Sequence, residues 1–270
     1  MKLRFGLTGS SGSLGKKLIL LNKHIKFSRF KGDIRNKLTV SDWIKTNNFD
    51  VIIHLAAVVP IKTVNKNKKY AKEVNFFGTK NIVDAISSSN VRWFFFSSTS
   101  HVYKSSKKKI FENFSKKPIS YYGKTKLNAE KYIIKKLKKT KVDYCIGRIF
   151  STSNISQKKN YLVPDLIDKI RNAKKKIILR NLNHYRDFIS MEEISKIIIK
   201  LCNARLKGIF NIGMGKGVLL KDIAKLICKK FKKKYDFVDN TKPTYLIANN
   251  NKLKKYVKIR KINNLEKIIF

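Results

Sequence analysis

Short apolar runs alternate with longer amphipathic stretches along most of the chain. Lys2 to Thr8 reads as a strand and Lys16 to Asn22 as a helix. His24 to Phe30 is a second strand, and Asp50 to Ala57 a buried strand ending in small residues. Tyr70 to Ser87 is helical. A strand from Phe94 runs out into Ser97, Ser98 and Thr99, followed by a helix from Tyr122 to Lys139 and a strand from Tyr144 to Phe150. Apolar runs of strand length that alternate with amphipathic stretches of helical period predict an α/β fold with a doubly wound parallel sheet.

After Phe150 the rhythm changes. Ser151 to Asn160 is polar and loop-like, and Pro164 to Lys174 is an amphipathic helix. Ile177 to Leu179 and Phe188–Ile189 are short strands, with Arg186 and Asp187 between them. Glu192 to Ala204 is a helix with acids in its first turn, where the helix dipole favours them. Gly208 to Gly213 is a strand and Leu220 to Lys230 a helix; the tail from Asp236 is Asn- and Lys-rich with one short helical stretch. The pattern divides the chain into a first domain over residues 1–150 and a smaller lobe over 151–270. The lobe is partly interwoven with the sheet, and a substrate lies between the two.

The first strand runs directly into Gly9, Ser10, Ser11, Gly12, Ser13, Leu14 and Gly15, spaced G-x-x-G-x-x-G, and then into a helix. Glycines there let the backbone turn tightly and approach a pyrophosphate, which sits on the helix N-terminus. Ser28 and Arg29 fall near the end of the second strand, where such folds meet the adenosine ribose. An acid there favours NAD, whereas an arginine accepts the 2′-phosphate of NADP. Asp33, followed by Ile34, places a carboxylate where the adenine amino group donates. Tyr122 and Lys126 are four apart on a helix and share a face. An ammonium one turn from a phenol favours phenolate and lowers its pKa, so Tyr122 can exchange a proton with an alcohol or ketone near neutral pH, and a strand-end hydroxyl such as Thr99 can hold the same substrate oxygen. His54, inside a buried strand, is expected to be a satisfied core residue.

With 270 residues and 43% hydrophobic content the chain is long enough for a large core. No apolar run reaches membrane-span length and no signal peptide is read at Met1, so a cytoplasmic protein is expected. Cys145, Cys202 and Cys228 lie far apart in apolar settings without metal-ligand spacing, which predicts reduced buried thiols and no metal. Lys and Arg number 62 against 17 Asp and Glu, a net charge of +45. The lysines are scattered through every helix, and the equally abundant Asn, Ile, Phe and Tyr share A/T-rich codons. The charge has two readings, a nucleic-acid or anionic-membrane partner and A/T-rich codon composition; the scatter of the lysines favours the second, so no specific nucleic-acid partner is expected. Such a surface still attracts polyanions at low salt and draws a phosphate-bearing substrate.

Ordered motifs run nearly end to end: Thr8-Gly9-x-x-Gly12-x-x-Gly15, Asp50-x-x-x-His54-Leu55-Ala56-Ala57, and Asn75-x-x-Gly78-Thr79-x-Asn81. Ser97-Ser98-Thr99 is followed by Val102-Tyr103, and Tyr122-Gly-Lys-x-Lys126 by Glu130. Arg148-x-Phe150, Arg186-Asp187-Phe188-Ile189 and Gly208 to Gly213 complete the set. In these the chain resembles the extended short-chain dehydrogenase/reductases, specifically the NAD-dependent epimerase/dehydratase group that acts on nucleotide sugars. The resemblance implies a Rossmann-type fold, an NAD or NADP cofactor, a nucleotide-sugar substrate, and a homodimer formed through the helices at 70–87 and 122–139. It implies that Tyr122 is the catalytic acid/base, Lys126 its ribose-binding partner, and Thr99 the group orienting the sugar 4-oxygen. Gly9, Ser11, Gly12, Ser13, Leu14 and Gly15 would carry the pyrophosphate. Leu55, Ala56, Ala57, Asn75, Ser97 and Phe150 would line the rest of the cofactor, and His101, Ser151 and Arg186 would meet the substrate, Arg186 at its diphosphate.

Two departures from the family pattern bear on chemistry. Dehydratases of the group carry an Asp-Glu pair directly after the Thr, where this chain has Ser100 and His101, which argues against dehydration. Ser151 replaces a common Asn after Phe150. The expected activity is hydride transfer at C4 of a nucleotide-linked sugar, as a 4-epimerase or a 4-keto reductase. The alternative is a non-catalytic dinucleotide- or RNA-binding protein on the same fold.

Overall fold

Strands buried on both faces form the centre of the molecule, as continuous apolar runs require of a parallel sheet. The structure, a computed structural model, describes residues 3–153, 157, 161–260 and 266–269. The first half runs β1 (Phe5–Thr8), α1 (Ser13–Leu21), β2 (Phe27–Arg29), α2 (Lys37–Asn47) and β3 (Val51–His54). Next come α3 (Ile61–Lys66), α4 (Lys68–Lys72), a π-helical turn (Glu73–Gly78) and α5 (Thr79–Ile86). It closes with β4 (Trp93–Thr99), a 3-10 turn (Ser100–Val102), α6 (Tyr121–Leu137) and β5 (Asp143–Ile149). The second half contains α7 (Leu162–Arg171), β6 (Ile177–Arg180), β7 (Tyr185–Asp187), α8 (Met191–Asn203) and β8 (Gly208–Ile212). It continues through β9 (Gly217–Leu219), α9 (Leu220–Lys230), β10 (Tyr235–Val238), β11 (Tyr245–Leu246), α10 (Asn251–Lys254) and α11 (Glu266–Ile269).

The main sheet has the order β2-β1-β3-β4-β5-β8 with every pairing parallel. This is the doubly wound Rossmann-type arrangement. One face is covered by α1 and α8, with Leu18, Ile194, Ile197 and Ile198 against Leu7, Ile53 and Phe95. The other face is covered by α2, α5 and α6, with Ile44, Ile82, Val83 and Ile133 against Ile52, Phe94 and Phe96. Each of these fully buried side chains contributes about 1.5–3 kcal/mol of transfer free energy. β8 and α8 come from the second half yet complete the sheet and one of its layers. The rest of that half packs α7 and α9 together on the β6–β10 pair, through Leu166, Ile170, Leu179, Ile223 and Ile227.

Three expectations need correcting. Arg186 and Asp187 do not lie between strands: they are in β7, which pairs with β9 and β11, while Phe188 makes only an isolated bridge to Ser151. β9 and β11 supply the partners that local sequence could not show. The tail is not a single helical stretch either; it adds β10 and β11 as sheet partners and two short helices. Within the 151–160 loop, 154–156 and 158–160 lie outside the described residues. The helix expected over 70–87 contains the π-helical turn, with Asn75 inside it. His54 is a satisfied core residue as expected, with Nδ1 2.6 Å from Thr8 Oγ1 and Nε2 2.9 Å from Thr79 Oγ1. The three cysteines are buried and free. Among the described residues no helix is long and apolar enough to cross a membrane.

One buried polar network ties α6 to the sheet. Arg148 of β5 and Glu130 of α6 are each 1% exposed, and Arg148 Nη2 lies 2.6 Å from Glu130 Oε2 while Nε donates to Oε1 at 3.0 Å. Ser98 of β4 donates to the same carboxylate. Arg148 Nη1 donates to the Tyr103 hydroxyl at 2.7 Å and to Glu112 O at 2.8 Å. Tyr103 in turn donates to Asn211 of β8 at 2.7 Å. Removing one partner of such a pair leaves a charge stranded in the core, at a cost of about 3–5 kcal/mol. Arg148→Met should therefore lose about that much in urea unfolding, and Arg148→Met/Glu130→Leu should recover most of it. A double variant no more stable than the single would show that the pair is not what fixes α6.

Candidate functional site

The C-terminal ends of β1, β3, β4 and β5 open into a cavity of about 510 Å³, walled on the far side by residues of α7, β7 and α8. Open α/β sheets bind ligands at this edge. The glycine turn forms its floor at β1. Gly9 has φ +72, and a Cβ there would approach Ala56 N to 2.5 Å; a Cβ on Gly15 would approach Gly9 O to 2.3 Å. Both positions therefore demand glycine for packing of the turn onto β3 and α1. Gly12 differs: a Cβ there would find only Gly9 O, at 3.3 Å, and otherwise open space. Gly12 also N-caps α1, which has no capping side chain and no acid in its first turn. The N–H groups at this end can thus meet an anion. These features suit a dinucleotide pyrophosphate.

At the other end of the cavity, α6 delivers Tyr122. Ser120 N-caps the helix, accepting from Gly123 N at 3.1 Å, and its Oγ lies 3.1 Å from His101 Nδ1. A Cβ on Gly123 would come within 2.3 Å of His101 O, so only glycine lets the helix sit this close to the turn after β4. That approach brings the Tyr122 phenol beside Thr99, near enough for the Thr99 hydroxyl to lower its pKa. Tyr122 is 8% exposed and Thr99 6%. Burial, followed by the nearby phenol of Tyr161, pushes the Tyr122 pKa up, against the lowering effect of Thr99. This reverses the expected direction: Lys126 does not dominate the phenol.

Lys126 is buried behind Tyr122, its Nζ 4.0 Å from the Phe96 ring centroid, a cation–π contact. Burial lowers its pKa to about 7, opposed by Glu130 one turn further along α6. His54 is lowered to about 3, by burial and then by Lys126. His101 is lowered to about 4, by burial and then by Arg186, and is neutral at neutral pH. Arg186 lines the opposite wall. Its guanidinium donates to Tyr185 O at 2.8 Å and to Thr244 O at 3.0 Å, and Nη2 donates to Thr244 Oγ1 at 2.9 Å. Burial lowers its pKa to about 10, so it remains a cation with neutral neighbours.

The cavity thus brings together most of the residues named from sequence. Gly9, Gly12, Ser13, Leu14, Gly15, Leu55 and Ala57 line its floor; Ser97, Thr99, His101 and Tyr122 line one wall; Phe150, Ser151 and Arg186 line the other. Lys126 lies behind the wall. Ser11 is exposed, and Ala56 accepts no ligand-facing role in the lining; its N–H donates to Thr8 Oγ1 at 3.3 Å. Arg29 is exposed at the end of β2, beside Leu7 of β1. Asp33 is gripped by Arg35, with Nη2 2.6 Å from Oδ2, and Ile34 is buried against Gly78. Asn75 is committed internally: Oδ1 accepts from Val58 N at 2.7 Å, and Nδ2 donates to Val58 O and Thr125 Oγ1. It fixes the loop after β3 against α6. Sequence reading missed Tyr161 and His184, which also line the cavity. No motif marks either; they meet Tyr122 and Arg186 only through folding of the second half.

Comparison with known proteins agrees with this geometry. The model of the NAD dependent epimerase/dehydratase family matches residues 7–213. A GDP-6-deoxy-D-talose 4-dehydrogenase of Aggregatibacter actinomycetemcomitans is 30% identical over 83% of this chain and 78% of its own length. A putative UDP-glucose 4-epimerase of Methanocaldococcus jannaschii is 25% identical over 82% of this chain and 70% of its own. Among solved structures, the Thermus thermophilus UDP-glucose 4-epimerase in complex with NAD superposes with a TM-score of 0.86 at 17% identity, over 99% of this chain and 97% of the other. RMD from Pseudomonas aeruginosa, complexed with NADPH, gives 0.86 at 16% identity, over 99% and 96%. With its glycine turn, its Tyr122–Lys126 helix and a family match over most of its length, the chain belongs to the NAD-dependent epimerase/dehydratase family, whose cofactor is a nicotinamide dinucleotide.

Proposed function

We propose that the protein transfers a hydride at C4 of a nucleotide-linked sugar, as a 4-keto reductase with Tyr122 as the proton donor. The observation that carries this reading is the Tyr122 phenol, set beside Thr99 on the cavity wall with Lys126 buried one turn behind. A carbonyl that receives hydride needs a proton on its oxygen, and a phenol held protonated by burial is the donor form. The 30% identical relative is named for dehydrogenation at position 4 of a nucleotide-linked sugar, which supports the same position here. Dehydration is disfavoured. Ser100 and His101 carry no carboxylate, and Asp165, the one acid among the described lining residues, is held by Lys62 at 3.0 Å and Lys169 at 3.0 Å.

In this reading Gly9, Gly12 and Gly15, with the first N–H groups of α1, hold the dinucleotide pyrophosphate. Leu55, Ala57 and Phe150 enclose the nicotinamide end. The bound dinucleotide supplies the hydride. Arg29 accepts a 2′-phosphate, since the nearby Asp33 is neutralised by Arg35. Thr99 and Tyr122 bind the sugar 4-oxygen, and Tyr122 protonates it. Lys126 places positive charge behind the phenol and steadies the phenolate left after transfer. Arg186 pairs with the substrate diphosphate through charge-assisted hydrogen bonds.

The cofactor site is tested by two variants. Gly12→Val fills the open space above the turn and should abolish NAD(P)H binding in a protein that still folds; retained affinity would overturn the site. Arg29→Ala should weaken NADPH binding by about 1.5–3 kcal/mol, the scale of a charged hydrogen bond, and leave NADH nearly unchanged. Equal losses for both would show that Arg29 is placed wrongly for a 2′-phosphate, and NAD released from the purified wild-type protein on denaturation would point to a 4-epimerase.

The catalytic assignment is tested by turnover on 4-keto nucleotide sugars across pH. Tyr122→Phe keeps the packing and should lower kcat by roughly 10²–10⁴. Lys126, with its pKa lowered to about 7, is charged below that pH and neutral above it. Reduction by the wild-type protein should therefore slow as pH rises through about 7, and Lys126→Met should remove that step and weaken cofactor binding. Full turnover by Tyr122→Phe would show that another group moves the proton.

A further inference from the structure

The second half of the chain places another phenol at the reacting end of the cavity. Tyr161 immediately precedes α7 and lines the cavity with Tyr122, near enough for the two phenols to interact electrostatically. Its backbone carbonyl accepts from Asp165 N at 2.9 Å, closing the first turn of α7. Its hydroxyl has no hydrogen-bond partner among the described residues, and the side chain is only partly buried. A half-buried phenol of this kind presents an apolar ring to its surroundings and one donor to a ligand.

A second observation explains why the phenol stays there. Asp165 lies four residues on, over the same side of the helix start as Tyr161. It receives Lys62 of α3, with Nζ 3.0 Å from Oδ1 and 3.1 Å from Oδ2. α3 follows the loop after β3, and α7 belongs to the other half, so this ion pair crosses the cavity mouth. Both residues line the cavity. The pair ties the start of α7, and Tyr161 with it, to the half that carries Tyr122.

We propose that Tyr161 is a specificity-determining residue that hydrogen-bonds a sugar hydroxyl next to the reacting carbon, held in position by the Lys62–Asp165 ion pair. The proposal rests on the C4 reading above. With Thr99 and Tyr122 on the 4-oxygen and Arg186 on the diphosphate, a phenol beside Tyr122 faces the ring hydroxyl adjacent to C4, the 3-hydroxyl. A site built to hydrogen-bond a hydroxyl discriminates against the analogue that lacks it, because its own donor is then left unpaired.

The test compares Tyr161→Phe with the wild-type protein on whichever UDP-, GDP- or dTDP-linked 4-keto sugar the wild type reduces, and on its 3-deoxy analogue. Tyr161→Phe should lose about tenfold in kcat/KM on the 3-hydroxy substrate, mostly through KM, the scale of one hydrogen bond. On the 3-deoxy analogue the two proteins should be equal. A purely structural role would lower both substrates alike. Asp165→Asn should raise KM for the 3-hydroxy substrate in the same direction at low salt, and the difference from wild type should shrink at 1 M NaCl as the ion pair is screened. Unchanged kcat/KM for Tyr161→Phe, or equal losses on both sugars, overturns the proposal while the C4 reading stands. A wild-type protein that neither binds these sugars by calorimetry nor reduces them overturns both.

Discussion

The Arg148–Glu130 pair is the interaction on which the site depends. A single carboxylate on α6 meets a guanidinium on β5 and a serine on β4, and the guanidinium reaches on to Tyr103 and, through it, to β8. Two buried charges of this kind add little net stability compared with apolar residues of the same shape. Their effect is on geometry: α6 has one register and one depth against the sheet. Tyr122 and Lys126 stand two turns and one turn before Glu130, so their positions follow from that register.

The neighbouring contacts carry the same constraint outwards. Gly123 allows α6 to touch the turn after β4, and Ser120 joins the helix cap to His101. Asn75 spends its amide on Val58 and Thr125, locking the loop after β3 to α6, and His54 joins Thr8 to Thr79. The polar groups behind the cavity are thus paired with one another. Those that face it, such as Tyr122, Tyr161 and Arg186, keep hydrogen-bonding capacity for a ligand. Taking these groups out of water disfavours their charged forms, which is why burial pushes the Tyr122 phenol up and the Lys126 ammonium down from their ordinary values.

Charge acts at two ranges. The net +45 is borne by lysines spread over every surface, and surface carboxylates such as Asp50, Asp84 and Glu192 are already engaged by cations. That field attracts anions without choosing among them. The interior differs: Arg186 sits there with neutral neighbours, and the glycine turn opens onto the start of α1.

Much of this was legible in the sequence because it is local. Buried parallel strands show as apolar runs, a glycine turn between strand and helix shows as spacing, and Tyr122 and Lys126 share a helix face by period alone. His54 was recognisable as a core residue from its place inside such a run. What the sequence could not show is what depends on partners distant along the chain. Arg186 and Asp187 became strand through β9 and β11, and the Asn- and Lys-rich tail became β10 and β11 through β6 and β7. The direction of the Tyr122 shift was misjudged for the same reason. Helix spacing reveals the neighbouring ammonium, but desolvation is set by every element that closes over the phenol, including Tyr161 from the other half. Period and spacing are properties of adjacent residues, whereas burial and pairing across the cavity exist only once the whole chain has folded.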